Sequence, residues 1–331
     1  MTPPTETAGP PNGFKDRKTG LVVFGVLTAL LGGLCALLVP LMYFGQAMAP
    51  QGTPQQNTQM LLPAALMYAA LAAVLVWLGI GSMMARRWAR ALLLIFSWSW
   101  LIMGVISLGF LAFILPQAMA MAQPHPAGQP EATSVATWVP LVIIFIMITV
   151  IYVIMPGAWV LFYRSKHVKA TCEAYDPVER WTDRSPLPVI AISIWLAFSA
   201  PMMLFVAVAY HGAIPVFGMF VTGPVGSGLY VLLALVFGYC ARALYKLETR
   251  GWWIVLIAMG IFTLSAFTTY LRHDVSELYA LAGYSEQQVA MMQKMTFLKG
   301  QTMAWFTLAA SLPFLGYLIY LRRYFPRPAV S

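Results

Sequence analysis

Between Ser185 and Ala241 the chain carries no Asp, Glu, Lys or Arg. A water-soluble fold needs charge on its surface along such a stretch, whereas a lipid bilayer accepts it unchanged. Crossing the hydrocarbon layer takes roughly 20 apolar residues per helix. Eight runs qualify: Leu21–Phe44, Leu61–Met84, Ala89–Leu115, Trp138–Tyr163, Val189–Tyr210, Gly223–Leu244, Trp252–Leu271 and Gln301–Leu321. Lipid offers no partner to a bare N–H or C=O, so each run is expected to be a helix. Composition agrees: the chain is 60% hydrophobic and 9% charged, against roughly half and about a quarter for soluble domains.

The net charge of +9 would suggest nucleic acid in a soluble protein, but in a membrane protein its distribution is a topology signal. If the chain starts in the cytoplasm and crosses eight times, all but three of its 20 Lys and Arg fall inside. The exceptions are Arg272, Lys294 and Lys299. Both termini are therefore expected to be cytoplasmic, in an inner or plasma membrane, with lipid and not nucleic acid as the partner. The first run has a basic flank, and Ala47-Met48-Ala49 imitates a signal-peptidase site. At 24 residues, however, it exceeds the roughly 7–15 of a signal core, and it reads as a retained span. Met1–Gly13, rich in Pro, Thr and Gly, belongs to a disordered tail over residues 1–20.

The runs pair as four plus four. Pro156 and Pro313 each precede a Tyr and then basic residues at the end of a run. The second and sixth runs end in Ala-Arg ahead of a basic loop. Gly32-Gly33 and Ser199-Ala200 stand at matching distances before Tyr43-Phe44-Gly45 and Tyr210-His211-Gly212. Three matches in register argue for duplication. With four spans per copy both copies point the same way. The fold class expected is an all-α membrane protein: eight transmembrane helices as two parallel four-helix repeats, residues 21–163 and 189–321, with a short tail over 322–331.

The copies are joined by a linker over 164–188, where "RSKHVKATCEAYDPVERWTDR" concentrates charge. It reads as a solvated connector. His167 and Cys172 are too few for a closed zinc site, and as a nucleophile pair they have no cradle around them. Cys35, Cys172 and Cys240 lie within spans or on the inner side, so no disulfide is expected.

No Asp, Glu, Lys, Arg or His lies in the core of a run, which argues against a proton-coupled pump, a charged-substrate carrier or a haem held by paired histidines. Glycine-rich nucleotide motifs and HExxH are absent as well. What remains is neutral polarity. Thr263, Ser265, Thr268 and Thr269 in the seventh run, with Tyr270, could line a path for a neutral solute; the plainer reading is hydrogen bonding to neighbouring helices or to their own backbone. Ser97, Ser99 and Ser107 in the third run invite the same pair of readings. Ala65, Ala69, Ala72 and Gly79 in the second run suggest a close helix–helix seam.

Gly212–Gly228, with Pro215 and Pro224, is an apolar loop broken by Gly and Pro that could dip into the outer membrane surface and contribute to a ligand site. On the same side, His273 and Glu277 share a face if the chain is helical there. His125, His211 and His273, with Met119, Met121, Met291, Met292 and Met295, are conceivable copper(I) ligands, although Met is ordinary packing material; no cofactor is expected. Ser285 and Gln288 form a capping-box pattern opening a helix expected to run straight into the eighth span.

The function expected is a non-enzymatic membrane component, an accessory or assembly subunit with a membrane-protein partner. The alternative is a permease or channel for a neutral or apolar solute. An intramembrane enzyme comes third, because no base or nucleophile lies at membrane depth.

Overall fold

Each of the eight apolar runs forms a helix over its described residues. The computed structural model describes residues 15–48, 58–122 and 142–326. Among these, eight helices are long and apolar enough to cross a membrane, and by length and composition the chain is a multi-pass membrane protein. Residues 1–14, which include most of the expected tail, lie outside the described residues, as does His125. The chain divides into two compact units, one closing at Arg184 and the other opening at Ser185, with the end of the third helix from Phe110 counted in the second.

In the first unit, α1 (Lys18–Ala47) and α2 (Thr58–Met83) pack backbone to backbone. The buried stripe of α1 is Leu21, Gly25, Thr28 and Gly32, one helical face. A Cβ at Gly25 would lie 2.7 Å from Gly79 O, and one at Gly79 would lie 2.6 Å from Gly25 O. In lipid, close van der Waals contact of this kind replaces the hydrophobic drive of water. The expected seam therefore holds at Ala65, Ala72 and Gly79, all buried, whereas Ala69 is exposed.

A tight turn leads into α3 (Arg87–Ala122). Ala85 takes φ 53°, with Arg86 N donating to Gly81 O at 2.9 Å and Ala85 N to Ser82 O at 2.8 Å, the Schellman pattern that satisfies orphan carbonyls at a helix end. The fourth span, α4 (Val142–Arg164), contains one wide turn at Val150–Ile154. The cause is Pro156, whose ring has no N–H for the Tyr152 carbonyl and clashes with it in a regular helix. That carbonyl is instead met by Gly104 of α3, so closely that a Cβ there would overlap it. At its other end α4 locks onto α1 and α2: Trp159 Nε1 donates to Thr28 Oγ1 at 3.1 Å, Tyr163 and Ser82 share a 2.7 Å bond, and Ser82 Oγ donates to Leu21 O at 3.0 Å.

The charged stretch after α4 folds onto this unit. It forms α5 (Lys166–Tyr175), which buries Val168, Thr171 and Cys172, followed by a 3₁₀ turn, Trp181–Asp183. The segment ahead of α1 is tied to it. Arg17 N donates to Thr171 Oγ1 at 3.0 Å, Tyr175 Oη to Asp16 Oδ2 at 3.3 Å, and Lys18 Nζ stands 4.3 Å from the Tyr175 ring centre. Asp176 is only 2% exposed and accepts from Arg180 Nη2 at 2.7 Å and from the Arg87 amide at 3.3 Å. Arg87 also pairs with Glu173 at 3.4 Å and with Asp183 at 3.7 Å. The stretch is a cap on the first unit, with its charges largely answered from within.

The second unit comprises α6 (Leu187–Ala209), α7 (Gly223–Tyr245), α8 (Thr249–Tyr270), the short helices α9 (Val275–Leu281) and α10 (Glu286–Gln293), and α11 (Gly300–Leu321). Its core gathers Ile192 and Leu196, Phe237 and Leu244, Trp252 and Val255, and Leu318 and Leu321 from the four long helices. Leu318 O, in the last turn of α11 where carbonyls lose their helical donors, accepts from Trp252 Nε1 at 2.7 Å. The α7–α8 turn repeats the earlier one: Leu247 has φ 60°, Leu247 N donates to Leu244 O at 2.8 Å, and Glu248 N to Ala243 O at 2.9 Å.

The capping box of Ser285 and Gln288 opens α10 as expected. The expectation of a continuous helix into the eighth span is corrected. The chain leaves α10 at Lys294, makes a 3₁₀ turn, and starts α11 afresh at Gly300. The break is set by packing: Gly300 sits against the carbonyls of Tyr270 and His273, where any Cβ would overlap them, and its amide bonds Asp274 Oδ1 at 2.6 Å. A helix running straight through would miss that seat.

Candidate functional site

The polar residues singled out in the seventh span converge on a β-hairpin at the end of the second unit remote from the α7–α8 turn. The segment after α6 forms β1 (Ile214–Val216) and β2 (Met219–Val221), antiparallel, with Pro215 opposite Phe220. Phe217 and Gly218 make the two-residue turn with φ 40° and 96°, positive at both positions as tight hairpins favour. Left-handed backbone is costly at a bulky residue, and here both turn amides are held from below. Phe217 N donates to Ser265 Oγ at 3.0 Å, and Gly218 N to Thr269 Oγ1 at 2.9 Å. These hydroxyls stand four apart on one face of α8.

Each hydroxyl also donates. Ser265 Oγ bonds Pro215 O at 3.0 Å, and Thr269 Oγ1 bonds Ser265 O at 2.8 Å. Thr268 turns back on its own helix, to Leu264 O at 2.9 Å. Thr263 is 5% exposed, and its hydroxyl has no partner among the described residues. Pro224 is the second residue of α7, exposed, where a missing N–H costs nothing. Ser265 lies five residues before the end of α8, so the hairpin tip reaches about 7 Å below that end. Buried backbone at that depth needs partners inside the protein, and Ser265 and Thr269 supply them.

His273 closes the far side of the hairpin. Its Nε2 faces Gly218 O at 3.1 Å and its Nδ1 faces Glu277 Oε2 at 2.7 Å, the shared face that the sequence suggests. Phe220 packs between Tyr270 and His273, with ring centres 6.2 Å and 5.6 Å away. Among the described residues no group of three or more His, Cys, Asp or Glu is placed to hold a metal, and Met291 is 68% exposed. In the first unit, burial pushes the Cys172 thiol up to about 12, which keeps it protonated and a poor nucleophile. His167 Nδ1 accepts from the Lys15 amide at 3.3 Å.

Replacing both hydroxyls (Ser265→Ala with Thr269→Val) should release the hairpin while leaving α8 intact. Each lost pair of bonds is worth about 1–2 kcal/mol, so amide exchange at Phe217 and Gly218 should rise by roughly tenfold or more. Unchanged exchange would show that the hairpin holds without them.

Sequence reasoning singles out Ser265, Thr269 and Pro215 but misses that they belong to one hydrogen-bonded element. The signal is present in "PVFGMFV": two short apolar segments rich in Val and Phe, with Gly at the second turn position. Two apolar concavities also open on the helix faces. One, about 620 Å³, is lined by Ala36, Val39 and Pro40 of α1 and by α2 residues that include Ala69, Ala73 and Trp77. The other, about 590 Å³, lies between the ends of α6 and α7 beside the hairpin. Comparison with protein-family models, curated proteins and solved structures returns no match for this chain.

Proposed function

We propose that this protein is a non-enzymatic accessory or assembly subunit of an inner or plasma membrane, acting through contact with a membrane-protein partner. The observation that carries the reading is the use of the seventh-span hydroxyls. Ser265 and Thr269 serve hairpin backbone and Thr268 its own helix, so the polarity that would line a solute path holds structure together. The α1–α2 concavity, floored by alanines, supports the same reading, since small residues let a partner helix approach closely. The alternative, a permease for a neutral solute, has the buried and unpartnered Thr263 hydroxyl in its favour.

The basic residues support a topology with both termini cytoplasmic. A duplicated architecture draws support from the two inter-helix turns. Ala85 and Leu247 share conformation and hydrogen bonds, and each turn brings a glycine against an alanine, Gly81 with Ala89 and Gly251 with Ala243.

Gentle extraction from the native membrane, followed by native mass measurement, tests the function. The expected particle contains this chain with other polypeptides in fixed ratio. A chain that emerges alone and monodisperse overturns the subunit reading and turns attention to solute uptake in liposomes.

A further inference from the structure

The concavity beside the hairpin differs from the one on α1 and α2 in having a polar end. Its walls are Leu204, Ala207 and Val208 on α6, His211 in the turn after it, and Gly223, Ser227 and Val231 on α7. On each helix these positions recur every three to four residues, so they form one face of each of two neighbouring antiparallel helices. Leu204 and Val231 lie deepest, while His211 and Gly223 lie at the helix ends. The walls face outward: Val208 is 78% exposed and Leu204 45%. In a bilayer such a face is covered by lipid.

Three observations decide which part of a lipid. From Gly223 to Val231 α7 rises about 12 Å, and half of the hydrocarbon layer is about 15 Å thick. The groove thus ends within one leaflet, which suits an acyl chain; a partner's transmembrane helix would need a seat about twice that depth. Next, the upper end stands at headgroup level, since Tyr210, Tyr279 and Tyr284 cluster there with ring centres 6.2 Å and 4.8 Å apart, and tyrosines gather at the membrane–water boundary. Finally, both polar groups at that end have a lone pair to offer. His211 Nδ1 faces Ala282 O at 3.1 Å; a carbonyl only accepts, so Nδ1 donates in that bond, and in the tautomer protonated there Nε2 is a lone-pair acceptor. Ser227 adds a half-buried hydroxyl with no hydrogen bond among the described residues.

We infer that this groove binds one chain of an ethanolamine phospholipid, with the headgroup ammonium donating to His211 Nε2 and Ser227 Oγ. An ammonium has three N–H donors and no acceptor, which matches two acceptors above an apolar slot. A choline headgroup, methylated at every one of those positions, fits the slot below but makes neither bond.

The test is native mass spectrometry of the full chain in mild detergent, titrated with ethanolamine and choline phospholipids of identical acyl chains. Wild type should retain the ethanolamine lipid about fivefold or more over choline. His211→Asn keeps an N–H in the place of Nδ1 and suits the positive φ of 50°, yet removes Nε2; the preference should fall to about one. Ser227→Ala should lower it in part. Val208→Trp fills the slot from an exposed position and should reduce retention of both lipids. Equal retention of the two lipids by wild type, an unaltered preference in His211→Asn, or full retention in Val208→Trp would each overturn the assignment.

Discussion

Gly226→Ala should cost the second unit about 3 kcal/mol or more, a large share of the roughly 5–15 kcal/mol that holds a domain together. One methyl group does this because the turn after α6 brings Gly212 O into the first helical turn of α7, where a Cβ at Gly226 would overlap it. Neither partner can retreat easily. Gly212 has φ 73°, its amide bonds Ala207 O at 2.8 Å, and Gly223 N bonds His211 O at 3.0 Å. Ala213 N, in the same peptide as the carbonyl, bonds Tyr210 O at 2.8 Å, so the peptides on both sides of Gly212 are held and relief would require lifting the hairpin away from Ser265 and Thr269. Gly228, two residues along the same helix, has nothing within 4 Å of its would-be Cβ. There Ala replaces Gly in a helix at no steric cost and should stabilise by up to about 1 kcal/mol. Thermal unfolding in mild detergent reads both variants. Opposite signs are expected, and a Gly226→Ala protein as stable as wild type would mean that Gly212 and Gly226 do not meet.

Asp176→Asn should loosen the charged cap. Asp176 is 2% exposed among three basic residues, with Arg180 at 2.7 Å and Arg86 at 3.7 Å and the Arg87 amide at 3.3 Å. The amide side chain keeps the shape and removes the charge, a loss of about 2 kcal/mol for charge-assisted bonds in a protected site. Trypsin should then cut at Arg180 or Arg184 roughly tenfold faster or more, while Glu179→Gln, at an exposed position, should leave the rate unchanged.

The same contact gives a pH dependence. The hydrogen bond from Arg180, then that from the Arg87 amide, holds the Asp176 carboxyl below its usual range. A depressed folded-state value means that the unfolded chain binds the proton more readily, so the stabilisation is complete above the ordinary carboxylate pKa of about 3.9. It is lost as pH falls through the lower, folded value. Cap protection in wild type should therefore persist to pH 4 and decline below it, while Asp176→Asn shows no such decline. A wild-type cap that opens already between pH 7 and pH 5 would place the controlling group elsewhere.

Burial explains which parts of this molecule were legible in the chain alone. The eight spans were, within a few residues, because lipid tolerates neither charge nor unpaired backbone over about 20 residues. Helix ends set by local chemistry were legible as well: the Ser285–Gln288 box is read from two residues and forms as read. Contacts between distant segments were not. Pro156 announces a distortion, but nothing in its neighbourhood says that the freed Tyr152 carbonyl meets Gly104. Ser265 and Thr269 look alike as pore-lining hydroxyls and as structural ones, and nothing in their own span announces that they accept from the Phe217 and Gly218 amides.

The sequence by itself determined the solvent of this protein, the number of its spans and the segments that carry its charge, since each depends on residue type summed over a local window. Tertiary structure alone decided that the charged stretch folds onto the first unit, that the Gly/Pro-broken loop is a hairpin anchored on α8, and that α11 begins anew at Gly300. Each of these turns on whether one buried donor, acceptor or missing Cβ finds its counterpart dozens of residues away. Hydropathy and spacing hold no record of such pairings.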